Sequence, residues 1–205
     1  MNHHIIDNPN CGIPEFKKNF YDVLIKIPEK NRKTAIELGA YCGSTSSILC
    51  NLFNNVSIVE DYSIFLEKHT NTNSYNIIYK NNTIEIEYID IINEHKLLNH
   101  IDTLKYNLKN FKNYILYEES FEKFNTNEKY DFVFDDTFDT AKELSINFIL
   151  KNKNRLIKAF ELVNGGGLYC LGWNYWIIKN ISNNNFIKKL ILCANKKINL
   201  DPSFL

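Results

Sequence analysis

The segment between Thr34 and Glu60 constrains the fold of this chain more than any other. Thr34-Ala35-Ile36-Glu37-Leu38 is a short apolar run that stops at Gly39. Residues 44–53 then place apolar side chains at helical spacing, and Val56-Ser57-Ile58-Val59 is a second apolar run that stops at Glu60. Strand, glycine turn, helix and strand in that order make a βαβ unit with its two strands parallel. Parallel strands are buried on both faces, so the rest of the chain has to supply more strands and the helices that cover them.

The remaining pattern supplies both. Tyr114-Ile115-Leu116-Tyr117 predicts a third strand with Glu118, Glu119 and Ser120 at its end, and Tyr130-Asp131-Phe132-Val133-Phe134 a fourth that ends in Asp135-Asp136. A helical pattern follows through Ile149 and on through Arg155 to Val163, after which Gly165-Gly166-Gly167 turns the chain into a fifth strand, Leu168-Tyr169-Cys170-Leu171. Phe16, Phe20, Val23, Leu24 and Ile27 behind Pro14 predict an amphipathic helix outside the sheet, and residues 62–69 another helix. In the stretch 71–112, residues 76–80 and 83–88 flank Asn81-Asn82 as in a two-residue hairpin, and Leu97, Leu98, Ile101, Leu104 and Leu108 recur at helical spacing. Residues 186–192 with 197–200 predict a closing hairpin. The expectation is a single α/β domain over 1–205: a Rossmann-like, doubly wound, mostly parallel sheet with helices on both faces. A helical extension covers 1–30, an insertion 71–112 carries a hairpin at 76–88, and the C-terminal hairpin is shortened.

Composition bounds the function. With 44% hydrophobic and 14% aromatic residues, the 205-residue chain can bury a proper core, which excludes a disordered tail or linker. No run approaches the roughly 18 apolar residues of a membrane span, and no basic-then-apolar leader pattern opens the sequence, so a cytoplasmic protein is expected. The five cysteines are widely spaced without a CxxC pair, and the five histidines fit no metal or triad spacing. Formal charge is zero, yet residues 151–205 hold nine basic against two acidic side chains, scattered among asparagines in the manner of a solvated face.

In an open parallel sheet, ligands bind beyond the carboxyl ends of the strands, where the winding reverses. Gly39 and Gly43, with Ala40 between them, would let backbone approach a ligand, and the helix that follows offers free N–H groups from Ser44 onward. Glu37 adds a carboxylate for an ammonium group. Glu60, with Asp61 beside it, lies 21 residues past Gly39, close to the spacing at which an acid grips two ribose hydroxyls. Glu119 and Ser120 are placed to receive an adenine amino group. Asp135 and Asp136 border the reacting centre, and as adjacent carboxylates at a buried strand end they need a partner. Plainer roles are open at each position: the two glycines as tight packing, Glu60 as a helix cap, Glu118 and Glu119 as loop acids, and Trp173 and Trp176 as core or pocket wall.

Over residues 33–172 these features resemble the class I S-adenosylmethionine-dependent methyltransferases, in particular the small-molecule O-methyltransferases whose first motif is E-[IL]-G-x-x-x-G-x-[ST]. Glu37, Gly39 and Gly43 match that motif, Glu60 the ribose-binding acid, Glu119 the acid after strand three, and Gly165-Gly166-Gly167-Leu168-Tyr169 the entry to strand five. Phe134-Asp135-Asp136-Thr137-Phe138-Asp139 is similar to the I-D-D-G-[ST]-H segment of macrocin-type sugar O-methyltransferases, where paired acids help to hold magnesium and the histidine is the base. Two departures matter: Asp139 stands in place of the histidine, and Leu171-Gly172-Trp173 in place of the acidic pair that completes the metal site. The resemblance therefore implies S-adenosylmethionine as cofactor without a divalent metal. It implies a small-molecule acceptor such as a sugar hydroxyl, Asp136 or Asp139 as the proton-removing carboxylate, and neither membrane nor nucleic acid as partner; a homo-oligomer is left open. Three other readings stand beside it. The lost histidine and acidic pair suit a non-catalytic binder that keeps the cofactor pocket as a scaffold. A nicotinamide-dependent dehydrogenase would want G-x-G-x-x-G, where this turn holds two glycines. Nucleic-acid methylation on a base amino group would want [DNS]-P-P-[YFW] where the chain has Asp135-Asp136-Thr137-Phe138.

Overall fold

The structure is a computed structural model that describes residues 14–41, 43–61, 78–79, 82–83, 100–138, 145–172, 176–180 and 185–196. Along them run α1 (Pro14–Leu24), β1 (Thr34–Leu38), α2 (Ser44–Leu52), β2 (Asn55–Val59), β3 (Ile78–Tyr79), β4 (Asn82–Thr83), α3 (His100–Asn107) and β5 (Tyr114–Tyr117). They are followed by β6 (Tyr130–Asp135), α4 (Ile146–Lys151), α5 (Lys153–Glu161), β7 (Val163–Leu171), β8 (Trp176–Lys179) and α6 (Phe186–Lys196).

Six strands form one sheet in the order β5-β2-β1-β6-β7-β8, and every neighbouring pair is parallel except β7 with β8. This is the mostly parallel, Rossmann-like arrangement expected from the apolar runs. The chain winds outward from β1 through β2 to β5, then returns to lay β6 on the other side of β1, so the winding reverses between β1 and β6. The register pairs Leu38 with Val59 and with Asp135, and Val59 with Tyr117. Four strand ends therefore finish level, and the residues that follow them share one edge.

Strands buried on both faces alternate their side chains between two cores. Phe132 and Phe134 of β6 join Phe20 of α1, Ile48 and Leu49 of α2 and Leu104 of α3 on one face. Val133 joins Ile149 of α4, Leu156 and Phe160 of α5 and Leu190 of α6 on the other. Each such side chain, taken from water to full burial, contributes about 1.5–3 kcal/mol before the entropy of ordering it. Among the described residues no helix is long and apolar enough to cross a membrane.

Four expectations are corrected. Residues 186–192 belong to a helix, not to a hairpin strand: Phe186, Leu190 and Cys193 are buried at helical spacing while Lys188 stays exposed, whereas a strand would put Lys188 on the same face as Phe186 and Leu190. The antiparallel closure is made by β8 instead; residues 197–200 lie outside the described residues. Gly165-Gly166-Gly167 is not a turn before the fifth strand but a bulge within it, since β7 spends the residues from Val163 to Leu168 against Tyr130 to Phe132 of β6. The long helical pattern before it breaks at Asn152 into α4 and α5. In the small hairpin Asn82 pairs with Tyr79, so it is a ladder residue and not part of the turn. The helix expected over 62–69, and Trp173, lie outside the described residues.

Candidate active-site cleft

A cavity of about 490 Å³ opens where the winding reverses. Its wall takes Gly39, Tyr41, Val59, Glu60 and Asp61 from the ends of β1 and β2, and Ser120, Phe121 and Glu122 from beyond β5. Asp136, Thr137 and Phe138 come from beyond β6, and Asn152 and Arg155 from the α4–α5 junction. The volume is within the range of small-molecule sites.

The loop after β1 is shaped by three residues in the left-handed region, Gly39 (φ 83°), Tyr41 (φ 48°) and Gly43 (φ 82°). At Gly39 a Cβ would stand 3.1 Å from the Asp136 carbonyl oxygen and 3.2 Å from the Thr137 nitrogen. The missing side chain thus lets the loops after β1 and β6 lie against each other at the cavity wall. At Gly43 a Cβ would stand 3.2 Å from Cγ of Leu104 on α3, which makes that glycine a packing residue outside the cavity wall. Of the two glycines expected to admit a ligand, only Gly39 is at the cavity. Gly39→Ala is expected to lower stability by roughly 1–3 kcal/mol through its strained φ and rigid backbone neighbours. Gly43→Ala should cost less, because the Leu104 side chain can move; denaturant midpoints of the two variants check the ranking.

Glu60 is buried in the wall, and its Oε2 accepts the backbone N–H of Ala40 at 2.5 Å and of Tyr41 at 2.7 Å. The acid at the end of β2 thereby holds the loop at the end of β1. Glu37 is fully buried and accepts the hydroxyls of Thr45 and Ser46 in the first turn of α2. Burial pushes its carboxyl up to about 7; the Ser46 and Thr45 hydroxyls draw it down and the nearby Glu60 charge adds to the rise. Glu37 was expected to face an ammonium group. It is instead turned into the β1–α2 junction, since it shares the α2 face of β1 with Ala35. Ser44 opens α2 and, like Ala40, lies outside the cavity wall.

The two adjacent acids at the end of β6 have separate surroundings. Asp135 is fully buried and absent from the wall: its Oδ2 accepts the Tyr169 hydroxyl at 2.7 Å, and its Oδ1 accepts the Thr137 hydroxyl at 2.5 Å. Burial, then the Asp135 charge, hold the Tyr169 hydroxyl well above its usual range. The partner that such a buried carboxylate requires is Arg155, whose Nη1 lies 3.5 Å from Asp135 Oδ1. Asp136, by contrast, lines the cavity.

Of the residues singled out from sequence, Gly39, Glu60, Asp61, Ser120 and Asp136 come together in the wall, and Glu37, Ala40, Gly43, Ser44, Glu119 and Asp135 do not reach it. Asp139 lies outside the described residues. Tyr41, Phe121, Glu122, Phe138, Asn152 and Arg155 were missed. A signal for Arg155 existed: it is one of two arginines in a chain with 22 lysines, and the paired acids needed a cation. Among the described residues no three His, Cys, Asp or Glu side chains gather as metal ligands would.

No protein-family model and no curated protein sequence matches the chain. Solved structures do. An amino pentose methyltransferase from Micromonospora echinaspora, solved with S-adenosylmethionine bound, aligns at 12% identity and TM-score 0.45 over 76% of this chain and 50% of that one. The N-methyltransferase NodS from Bradyrhizobium japonicum aligns at 10% identity and TM-score 0.42 over 77% and 67% of the two chains. The tRNA (m1A58) methyltransferase TrmI from Aquifex aeolicus aligns at 16% identity and TM-score 0.42 over 76% and 45%. The chain thus spans half the length of the first of these.

Proposed function

We propose that this chain binds S-adenosylmethionine in the cleft between β1 and β6 and transfers its methyl group to a small-molecule hydroxyl, of the kind a sugar presents. What supports this most is Glu60: a carboxylate in the cavity wall, locked to the loop that Gly39 opens, with Asp136 across the point where the winding reverses. In this reading Glu60 receives a pair of ribose hydroxyls, and Ser120 with Phe121 the base. Among the described residues of the wall, Glu60, Asp61, Glu122 and Asp136 outnumber the one guanidinium of Arg155, a balance that favours a cationic ligand.

When bound, the cofactor supplies an electrophilic methyl group on a positively charged sulfur. The protein has to hold the acceptor oxygen in line with it and accept one proton. Asp136 is the carboxylate assigned to that proton, with Asp139 as the second candidate. Tyr41, Phe121 and Phe138 give the wall its apolar surface, which keeps water from competing with the acceptor. No metal enters this reading.

A non-catalytic cofactor-binding scaffold is the second reading, favoured by one observation: of the adjacent acids at the end of β6 only Asp136 lines the cavity, Asp135 being tied to Tyr169 and Thr137. Calorimetry with S-adenosylmethionine and S-adenosylhomocysteine tests both. Binding of each is expected, together with turnover to S-adenosylhomocysteine on some member of a sugar and phenol panel. Asp136→Asn should keep the binding and lose about a hundredfold in turnover. Absence of binding by either ligand removes the proposal; binding without turnover across the panel favours the scaffold.

A further inference from the structure

We propose that Arg155 is the positioning residue of the cleft: its one guanidinium joins the loop after β5 to the end of β6 and so fixes where a nucleoside base is read. The inference rests on the reading of this cleft as a S-adenosylmethionine site and assigns a role within it.

The geometry is two-sided. Toward the loop after β5, Arg155 Nε donates to Glu122 Oε1 at 3.0 Å, and the guanidinium carbon lies 5.0 Å from the centre of the Phe121 ring. Toward β6, Nη1 lies 3.5 Å from Asp135 Oδ1, and the same carbon stands 4.1 Å over the Phe138 ring. β5 and β6 are separated in the sheet by β2 and β1, so no ladder hydrogen bond holds these two loops at a set distance. Arg155 spans them from outside the sheet.

Its own position is set by the core, because α5 is anchored through Leu156, Ala159 and Phe160. One turn on, Lys158 Nζ donates to the carbonyls of Phe121 at 2.7 Å and Glu122 at 3.0 Å, a second tie from the same helix to the same loop. A planar fork can meet a carboxylate along its edge and aromatic rings on its faces, which a compact ammonium cannot. That is a physical reason for arginine here in a chain that otherwise uses lysine, 22 to two. Ser120, Phe121 and Glu122 are the wall that a base would meet, and Arg155 holds that wall in register with Asp136.

The test measures affinity and base selectivity in the full chain. S-adenosylhomocysteine and S-inosylhomocysteine are titrated into wild type, Arg155→Lys, Glu122→Gln and the double variant, with Glu122→Gln as the milder probe because its side chain is largely exposed. Each single variant is expected to weaken S-adenosylhomocysteine by about tenfold and to narrow its preference over the inosine analogue, and the double variant to be no weaker than the worse single, since both break one link. Melting shifts with unchanged affinity and selectivity in both single variants, or fully additive losses in the double, overturn the role of Arg155. A wild type that binds neither compound overturns the cofactor reading itself, and that result is read before any variant is made.

Discussion

Glu60→Ala is expected to weaken S-adenosylhomocysteine binding by about a hundredfold, the size of two hydrogen bonds to a charged acceptor, and to destabilise the fold at the same time. The two losses have different origins. In the folded protein one carboxylate oxygen accepts two backbone N–H groups, those of Ala40 and Tyr41. Ala40 is itself buried, so removing the acceptor leaves at least one donor without water to replace it. An orphaned buried donor costs about 1–3 kcal/mol, so two of them would cost roughly 2–6 kcal/mol in all. Tyr41 adds to this, because its left-handed backbone is held in place by the same bond. Glu60→Gln separates the effects: its amide oxygen can still accept both N–H groups, so stability should stay close to wild type while the charge offered to the ribose is gone. Denaturant melts and calorimetry on both variants decide it. An alanine variant as stable as wild type would show that the loop does not depend on Glu60.

The second large effect is a pH dependence seated at Glu37. Burial raises this carboxyl from its ordinary value of 4.5 to about 7. Its folded-state value lies above the unfolded one, so folding favours the neutral form. The associated stability is complete below about pH 4.5, declines as pH climbs toward 7, and is gone above 7. The gap between 4.5 and about 7 corresponds to about 3 kcal/mol. Glu37→Gln removes the titration and keeps a polar group against Thr45 and Ser46. Between pH 5 and pH 8 wild type should therefore lose about 2.5 kcal/mol of unfolding free energy relative to the variant, since titrations not coupled to Glu37 cancel in the difference. Parallel pH profiles for the two proteins would sink the assignment.

Glu37 also shows how a site can be half visible. Its residue type and place beside Gly39 were plain in the sequence, and the two-residue period of a strand could have put it on the α2 face with Ala35. The partners that take up its oxygens, Thr45 and Ser46, are neighbours only once α2 folds back over β1. Helix α6 differs from the expected hairpin strand for a related reason: its apolar run suggests a strand, but Lys188 breaks the two-residue period, and the burial of Phe186, Leu190 and Cys193 around an exposed Lys188 marks the helix. Arg155 was hardest to see, because Glu122 stands 33 residues before it and the two meet only through the packing of α5 on the sheet.

By itself the sequence determined the parallel sheet and the row of polar residues along its carboxyl edge. Both are local consequences of apolar runs long enough for a doubly covered strand, and of the residue at which each run stops. Only the tertiary structure decided which of those polar groups enter the cleft. Glu60 and Asp136 do, while Glu37 and Asp135 are taken up by α2, Tyr169 and Thr137, with Arg155 alongside. A buried carboxylate is satisfied by whatever donor packing brings within reach, and that donor is set by how helices seat on the two faces of the sheet, not by distance along the chain.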